Sequence, residues 1–178
     1  AAVNDAPTIS NLNSDTLAYT AGDDASIIDQ GTVSSTADVD STDFDTGTLT
    51  VSISANRVST EDKLAIKNTG TGSGEIGITG SNVTYGGTTI GTFTGGTGTD
   101  NLVITFNSGA TPAAATALIK SITYENTNTS NPTASSRTVG FTLTDGDSGT
   151  STTSNATVTV SAETITTTTE EAPLTLLS

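Results

Sequence analysis

Short segments of alternating apolar and polar residues, each closed by a turn cluster, run along most of this 178-residue chain. Between residues 48 and 53, Leu49, Val51 and Ile53 alternate with threonine and serine. This period of two is typical of a β-strand that buries one face. We predict such strands at residues 9–12, 17–19, 26–29, 31–37, 48–53, 64–66, 76–78, 82–85, 88–93, 102–106, 137–144 and 155–161. Many short strands at this spacing predict an antiparallel β-sandwich.

Two local patterns refine this prediction. Gly86 and Gly87 separate two alternating segments, and a two-residue glycine turn predicts a β-hairpin. Thr111, Pro112 and the alanine run that follows are instead typical of a helix N-terminus, with a capping hydroxyl and proline at the first helical position. We therefore expect one short helix at residues 112–120, lying across one end of the sandwich.

Composition and charge exclude several classes of function. The chain has no His and no Cys, so it has no zinc site of the usual kind, no catalytic triad built on these residues and no disulfide. Five Lys and Arg against nineteen Asp and Glu give a formal charge of −14, which disfavours nucleic acid and anionic lipid as partners. No apolar run approaches the roughly 18 residues of a membrane-spanning helix, so we expect no membrane insertion.

The acidic residues are concentrated in a few places. Asp38, Asp40, Asp43 and Asp45 stand close together, and the nearest cationic residue along the chain is Arg57. Such a cluster favours a Ca²⁺ site, because Ca²⁺ takes about six to eight oxygen ligands from carboxylates, amides and backbone carbonyls. The alternative is a solvated acidic loop that only aids solubility. The other close pairs are Asn4 and Asp5, Asp23 and Asp24, and Asp145 and Asp147.

Several motifs together resemble the cadherin-like repeats of giant bacterial surface and type I-secreted adhesins, which are related to RTX proteins. The Val-Asn-Asp-Ala-Pro segment at 3–7 resembles the linker between such repeats, and Ala-Asp-Val-Asp at 37–40 resembles their D-x-D loop. Residues 141–147 and 156–160 resemble the last two strands. Four further segments resemble an enlarged version of the repeat, and they are residues 81–87, 104–107, 110–114 and 122–124.

The resemblance covers roughly residues 3–161 and implies an all-β, antiparallel Greek-key sandwich of cadherin-like or Ig-like type. It implies a linker at 1–7, the domain at 8–161 and a Thr-rich linker or tail at 162–178. It also implies calcium at the junction of consecutive repeats, with Asp43 or Asp45 as a further loop ligand and Asp147 as either a ligand or a turn residue. The implied ligands are Asp38, Asp40, Asp145, Asn4, Asp5, Asp43, Asp45 and Asp147.

We therefore expect a non-enzymatic, calcium-binding spacer or adhesion module of a large bacterial surface protein, exported by type I secretion. Its expected partners are neighbouring repeats of the same chain, and the isolated domain is expected to be a monomer. Two alternatives are an adhesin domain that binds a surface glycan or protein, and a structural domain of a surface layer. Residues 162–165 lack a second Asn-Asp-Ala-Pro linker, so this is either a terminal repeat or one followed by a different module.

Two weaker patterns favour ordinary structure. Residues 95–103 match one copy of the G-G-x-G-x-D-x-U-x calcium nonapeptide, but a β-roll binds ions between stacked copies, so we expect a glycine-rich hairpin loop. Paired carboxylates also serve glycosidases. Those sites need an apolar pocket and aromatic platforms, and this chain has no Trp and only 4% aromatic residues, so we expect no enzyme.

Overall fold

A computed structural model describes residues 3–163 and shows an all-β protein with one helix. The all-β class and the short helix are therefore confirmed, whereas the predicted tail lies outside the described residues from 164 onward. The elements are β1 (Thr8–Ser10), β2 (Thr16–Thr20), β3 (Ser26–Ile27), β4 (Ser35–Ala37), β5 (Thr48–Ala55), β6 (Asp62–Ile66), β7 (Ile76–Thr79), β8 (Asn82–Tyr85), β9 (Thr88–Thr94), β10 (Leu102–Phe106), α1 (Pro112–Ile119), β11 (Ile122–Asn126), β12 (Ser136–Leu143) and β13 (Ser154–Ser161).

The strands form one large and two small sheets. The eight-stranded sheet has the order β2-β13-β12-β5-β10-β9-β8-β7, the three-stranded sheet has the order β3-β11-β6, and β1 pairs with β4. Every described pair is antiparallel except β13 with β2, which run parallel. The Greek-key connectivity stays a prediction.

The core lies where the alternating strands bury their apolar faces. Val51 in the middle of β5 has Leu102 of β10 and Phe141 of β12 as its cross-strand neighbours, and all three side chains are fully buried. Removing an aliphatic or aromatic side chain of this size from water contributes about 1.5–3 kcal/mol. The same buried cluster includes residues of the three-stranded sheet and of α1, so the sheets and the helix share one core.

The predicted helix and hairpin both follow from local chemistry. The backbone N–H of Ala114 donates to Thr111 Oγ1 at 3.3 Å, which caps α1, and Pro112 occupies its first turn. In the hairpin between β8 and β9, Gly86 and Gly87 have φ of 57° and 82°. Positive φ at both central positions is the geometry that favours glycine in a tight hairpin turn.

Several element bounds differ from the sequence prediction, and two differences have a clear physical reason. Strand β11 is absent from the predicted set because it is buried on both faces along most of its length, so its sequence lacks the alternation of a half-buried strand. The strand predicted at 31–37 shortens to β4, because the Asp29 carboxylate accepts hydrogen bonds from the backbone and hydroxyl of Ser34 and keeps the preceding residues in a loop. Within the described range, no helix has the length and apolar character required to cross a bilayer.

Candidate metal centre

Three segments rich in Asp and Asn meet at one end of the sandwich. Strand β1 begins opposite the last residue of β4, where Thr8 pairs with Ala37, and β5 begins beside the end of β12, where Leu49 pairs with Leu143. The residues before β1, the loop after β4 and the loop after β12 therefore leave the sheets at the same end. We call this end the N-terminal pole.

The first group of donors at the N-terminal pole contains Asp5, Asp38 and Asp40. The backbone N–H of Asp5 donates to both carboxylate oxygens of Asp40, at 3.3 and 3.2 Å. Asp38 Oδ1 accepts the backbone N–H groups of Asp40 and Ser41, at 3.1 and 3.0 Å. The second oxygen of Asp38, Oδ2, is buried and has no hydrogen-bond partner in the described structure. An unpaired buried carboxylate oxygen is costly, so this atom needs a positively charged or donor group.

The pKa of Asp40 and the lack of ion pairs also indicate that this group of carboxylates needs a positive charge. Desolvation is the largest cause that raises the pKa of Asp40 above its ordinary value, and the nearby Asp38 and Asp5 carboxylates add to it, while the N–H of Asp5 opposes the shift. Among the described residues, the ion pairs involve only Glu61, Asp62 and Glu125 as acids. The carboxylates of the N-terminal pole therefore repel one another without a Lys or Arg to compensate.

The second group at the N-terminal pole is centred on Asp145, which is only 1% exposed. Asp145 Oδ1 accepts the backbone N–H groups of Asp147 and Gly149 at 2.7 and 2.9 Å, and Oδ2 accepts Nδ2 of Asn4 at 2.8 Å. Burial acts to raise the pKa of Asp145, but these hydrogen bonds outweigh it and lower the pKa below its ordinary value. Asp145 therefore stays ionised and ties the N-terminal segment to the loop after β12.

Gly149 makes this close approach feasible. A Cβ atom at residue 149 would overlap Asp145 Oδ2 and would lie 2.8 Å from the carbonyl oxygen of Asp5 and 2.9 Å from Nδ2 of Asn4. These distances are shorter than real Cβ contacts. The glycine thus lets Asn4, Asp5 and Asp145 bring their polar atoms to one small volume.

The structure does not bring all the proposed ligands together. Asp43 Oδ1 accepts the backbone N–H of Asp45 at 3.1 Å, which closes a local turn, and Asp147 meets Asp145 through its own backbone N–H. Within residues 3–163, no three or more acidic side chains are arranged to hold a metal ion by themselves. The pole contains two small groups, Asp5 with Asp38 and Asp40, and Asn4 with Asp145.

The donors that do meet are of the kind that Ca²⁺ prefers. They are carboxylate oxygens, an Asn side chain that keeps Oδ1 for another partner, and a backbone carbonyl at Asp5. The buried, unpartnered Oδ2 of Asp38 is the atom for which a cation is the most direct partner. The residues at the pole therefore fit a hard divalent cation, with further oxygen ligands needed to complete its coordination.

Acids at the other end of β12 have a partner within the chain. Arg137 is fully buried, and its Nε donates to both oxygens of Asp62 at 3.1 and 3.3 Å. Tyr124 donates its hydroxyl to Asp62 Oδ1 at 2.6 Å, and Glu61 Oε2 lies 3.8 Å from Arg137 Nη2. We call Glu61, Asp62, Tyr124 and Arg137 the arginine network.

Sequence reasoning missed the arginine network, although the sequence carries one indication of it. Along β12, Arg137 has the same parity as Val139, Phe141 and Leu143, which are all buried. A cation on the core face of a strand has to be paired, because an isolated buried charge is very costly. That parity could have pointed to an internal acidic partner, but not to which acid.

Comparisons with models of protein families, with curated protein sequences and with solved structures each found no match.

Proposed function

We propose that this domain is a non-enzymatic, calcium-binding repeat that acts as a spacer in a large extracellular bacterial surface protein. One observation carries the proposal. Asp38 Oδ2 is buried without a hydrogen-bond partner, beside Asp40, at the pole where the chain enters the domain. A spacer needs its stiffening contacts at the junction between repeats, and the proposal places that junction at this pole.

Each residue of the pole has a distinct part in this proposal. Asp38 and Asp40 supply carboxylate oxygens, and Asn4 and Asp5 bring the entering chain against them and against Asp145. Bound Ca²⁺ supplies the positive charge that offsets the mutual repulsion of these acids. Asp145 already has three hydrogen-bond donors, so its main part is to position Asn4. Asp43, Asp45 and Asp147 remain proposed further ligands.

In the isolated chain, water is proposed to complete the coordination, and the preceding repeat is proposed to replace that water in the parent protein. Three large apolar side chains are strongly exposed among the described residues, and two of them, Val3 and Val39, flank the donors with exposures of 85% and 88%. An apolar side chain beside a group of unpaired acids is typical of a surface that a neighbouring domain covers. Covering it would also remove water from the cation site, which strengthens the electrostatic attraction there.

The function then follows from binding linkage. A ligand that binds only the folded, docked state adds RT ln(1 + [Ca²⁺]/Kd) to the free energy of unfolding. Extracellular calcium modules commonly have Kd values of about 10⁻⁴–10⁻³ M. Such a module stays weakly joined to its neighbours where calcium is scarce and becomes rigid after export.

The test compares thermal unfolding of the 178-residue chain in EDTA, in CaCl₂ and in MgCl₂. We expect a stabilisation of about 1–3 kcal/mol when Ca²⁺ is at roughly 10–100 times Kd, and a much smaller effect of Mg²⁺. Asp38→Asn should abolish the calcium effect, because it removes the charge beside the unpartnered oxygen. Asp100→Asn is the matched control, since Asp100 lies in the loop between β9 and β10, and it should keep the full effect.

Two outcomes would contradict the proposal: no stabilisation of the unchanged chain by Ca²⁺, or an equal loss in both variants. The surface-layer alternative makes a different prediction. It expects the chain to assemble into ordered sheets in calcium, whereas a spacer repeat stays monomeric in size-exclusion chromatography under the same conditions.

A further inference from the structure

A groove of about 610 Å³ lies on a part of the domain that contains none of the N-terminal pole donors. It runs between α1, the residues that precede β7 and the end of β8, and it is open to solvent on one side. Its volume is within the usual range of small-molecule sites, about 300–1,000 Å³. The residues that determine its chemistry are Thr36, Thr69, Tyr85, Thr116, Lys120 and Ser121.

Three hydroxyl groups of the groove donate their hydrogens within the protein. Thr36 Oγ1 donates to the carbonyl of Pro112 at 2.7 Å, and Ser121 Oγ donates to the carbonyl of Ala117 at 2.9 Å. Thr69 Oγ1 donates to the carbonyl of Ile76 at 3.1 Å. Because each hydroxyl has one hydrogen and two lone pairs, these three oxygens can only accept from a ligand. One lone pair of Thr69 Oγ1 is already used by the backbone N–H of Ile76, and Thr36 Oγ1 lies 3.1 Å from Thr116 Oγ1. The phenolic hydroxyl of Tyr85, which also lines the groove, can donate as well as accept. A ligand with several O–H groups, which both donate and accept, suits that wall.

Lys120 adds a positive charge to the same groove. It follows the last residue of α1, it is half-buried, and among the described residues it makes no ion pair. Lys63 and Arg137 pair with acids. Arg57 and Lys67 make no ion pair among the described residues either, but they do not line the groove. In a chain of formal charge −14, a cation left without a partner at a groove favours a ligand that carries an anionic group.

Tyr85 supplies the apolar surface. It is the last residue of β8 and is half-buried, and it lines the groove together with Ala113 and Ala117 of α1. An aromatic ring of this kind has an apolar face and a polar hydroxyl, so it can cover the C–H face of a flat ring while the ring's hydroxyl groups reach the acceptors around it.

We propose that this groove binds an acidic saccharide, a sugar with several free hydroxyl groups and a carboxylate that pairs with Lys120. The three requirements of the groove are hydroxyl groups that donate and accept, one negative charge and an apolar ring face, and a uronic acid residue meets all three. An acidic peptide meets only the charge requirement, because it has one backbone donor per residue and no ring of this kind. The inference goes beyond the spacer function, since it would let the repeat hold a polysaccharide, and it uses none of the calcium donors.

The test is a calorimetric titration of the 178-residue chain with a galacturonic acid trimer, with a neutral galactose trimer and with a tri-glutamate peptide. We expect the acidic trimer to bind, and the neutral trimer to bind about tenfold more weakly or worse, because a charged hydrogen bond is lost. Lys120→Gln should weaken the binding of the acidic trimer by a similar factor. Lys67→Gln is the matched control, since Lys67 is exposed and does not line the groove, and it should leave binding unchanged.

Four results would overturn the inference. They are no binding of the acidic trimer, equal binding of the neutral trimer, an equal loss in the Lys67 variant, and peptide binding as tight as that of the acidic trimer. Tyr85→Leu provides a second, independent readout. This substitution keeps all the charges but removes the ring, so it should weaken the binding of both the acidic and the neutral trimer.

Discussion

The two ends of strand β12 solve the same electrostatic problem in different ways. Near the start of β12, Arg137 is buried against Asp62 and Glu61, so the acids there have a cation from the chain itself. Just past its end, at the N-terminal pole, Asp38 and Asp40 have no ion pair within the described residues, and one buried oxygen has no partner. Each end keeps one buried atom without a hydrogen-bond partner, Arg137 Nη2 in the arginine network and Asp38 Oδ2 at the pole. The difference is that the acids of the arginine network have a cation within the described chain, whereas the acids of the pole do not.

The largest expected effect on stability concerns the arginine network. Arg137→Met should lower the free energy of unfolding by about 3–5 kcal/mol, because it leaves Asp62 and Glu61 buried without their cation. Urea unfolding measures this loss. Lys63→Met is the control, since the Lys63–Glu125 pair has 41% and 33% of its side chains exposed, and such pairs contribute about 0–1 kcal/mol. Equal losses in the two variants would mean that the buried network has no special weight.

The second prediction tests how closely the chain is packed at the N-terminal pole. Gly149→Ala should cost about 1–3 kcal/mol by overpacking, because the new methyl group would collide with Asp145 and displace Asn4 and Asp5. It should also weaken calcium binding. Gly74→Ala is the control: the φ of 82° makes alanine strained there too, but a Cβ atom at residue 74 has no neighbour within 4 Å, so the calcium response should remain. Thermal unfolding with and without CaCl₂ measures both effects. If the Gly149 variant keeps its full calcium response, the Asn4–Asp145 contact is not required for calcium binding.

The last prediction is a pH dependence of opposite sign at the two ends. The backbone N–H of Thr133 is the largest of the contacts that lower the pKa of Glu61 from 4.5 to about 2, against the opposing effect of burial. Its contribution to stability is therefore complete above about pH 4.5 and is lost as the pH falls towards about 2. The raised pKa of Asp40 has the opposite consequence, since the stability of the calcium-free pole falls as the pH rises through that pKa.

Melting temperatures in EDTA between about pH 2 and 5 measure this dependence. Glu61→Gln should flatten the acid limb of the curve, because the variant has no carboxyl group to titrate there. Asp40→Asn should leave the acid limb in place and remove the loss seen as the pH rises. Identical curves for the two variants would show that the two ends do not differ in the way described.

The sequence predicted those features that depend on neighbouring residues. The alternation of Leu49, Val51 and Ile53 determines which face of β5 is buried, Thr111 caps α1, and Gly86 with Gly87 turns the hairpin. Each of these follows from propensities and hydrogen bonds within a few residues. This is why the all-β class and the helix could be predicted without a structure.

The remaining features depend on residues far apart in the chain. Arg137 meets an acid 75 positions away, and the wall of the groove joins Thr36 to Thr116, 80 positions away. Within the acidic loop, spacing alone could not tell Asp38, which has a free buried oxygen, from Asp43, which closes a turn on Asp45. Local pattern therefore predicted where acids collect, and packing decides which of them remain to bind a ligand.

The most direct test of calcium binding at the N-terminal pole is a calorimetric calcium titration of the 178-residue chain after removal of metal by EDTA and dialysis. We expect saturable Ca²⁺ binding with a Kd of about 10⁻⁴–10⁻³ M, lost in Asp38→Asn and Asp40→Asn and kept in Asp62→Asn wherever that variant remains folded. Absence of saturable binding by the unchanged chain, or binding that survives both substitutions at the pole, would contradict the proposal that these acids are completed by calcium.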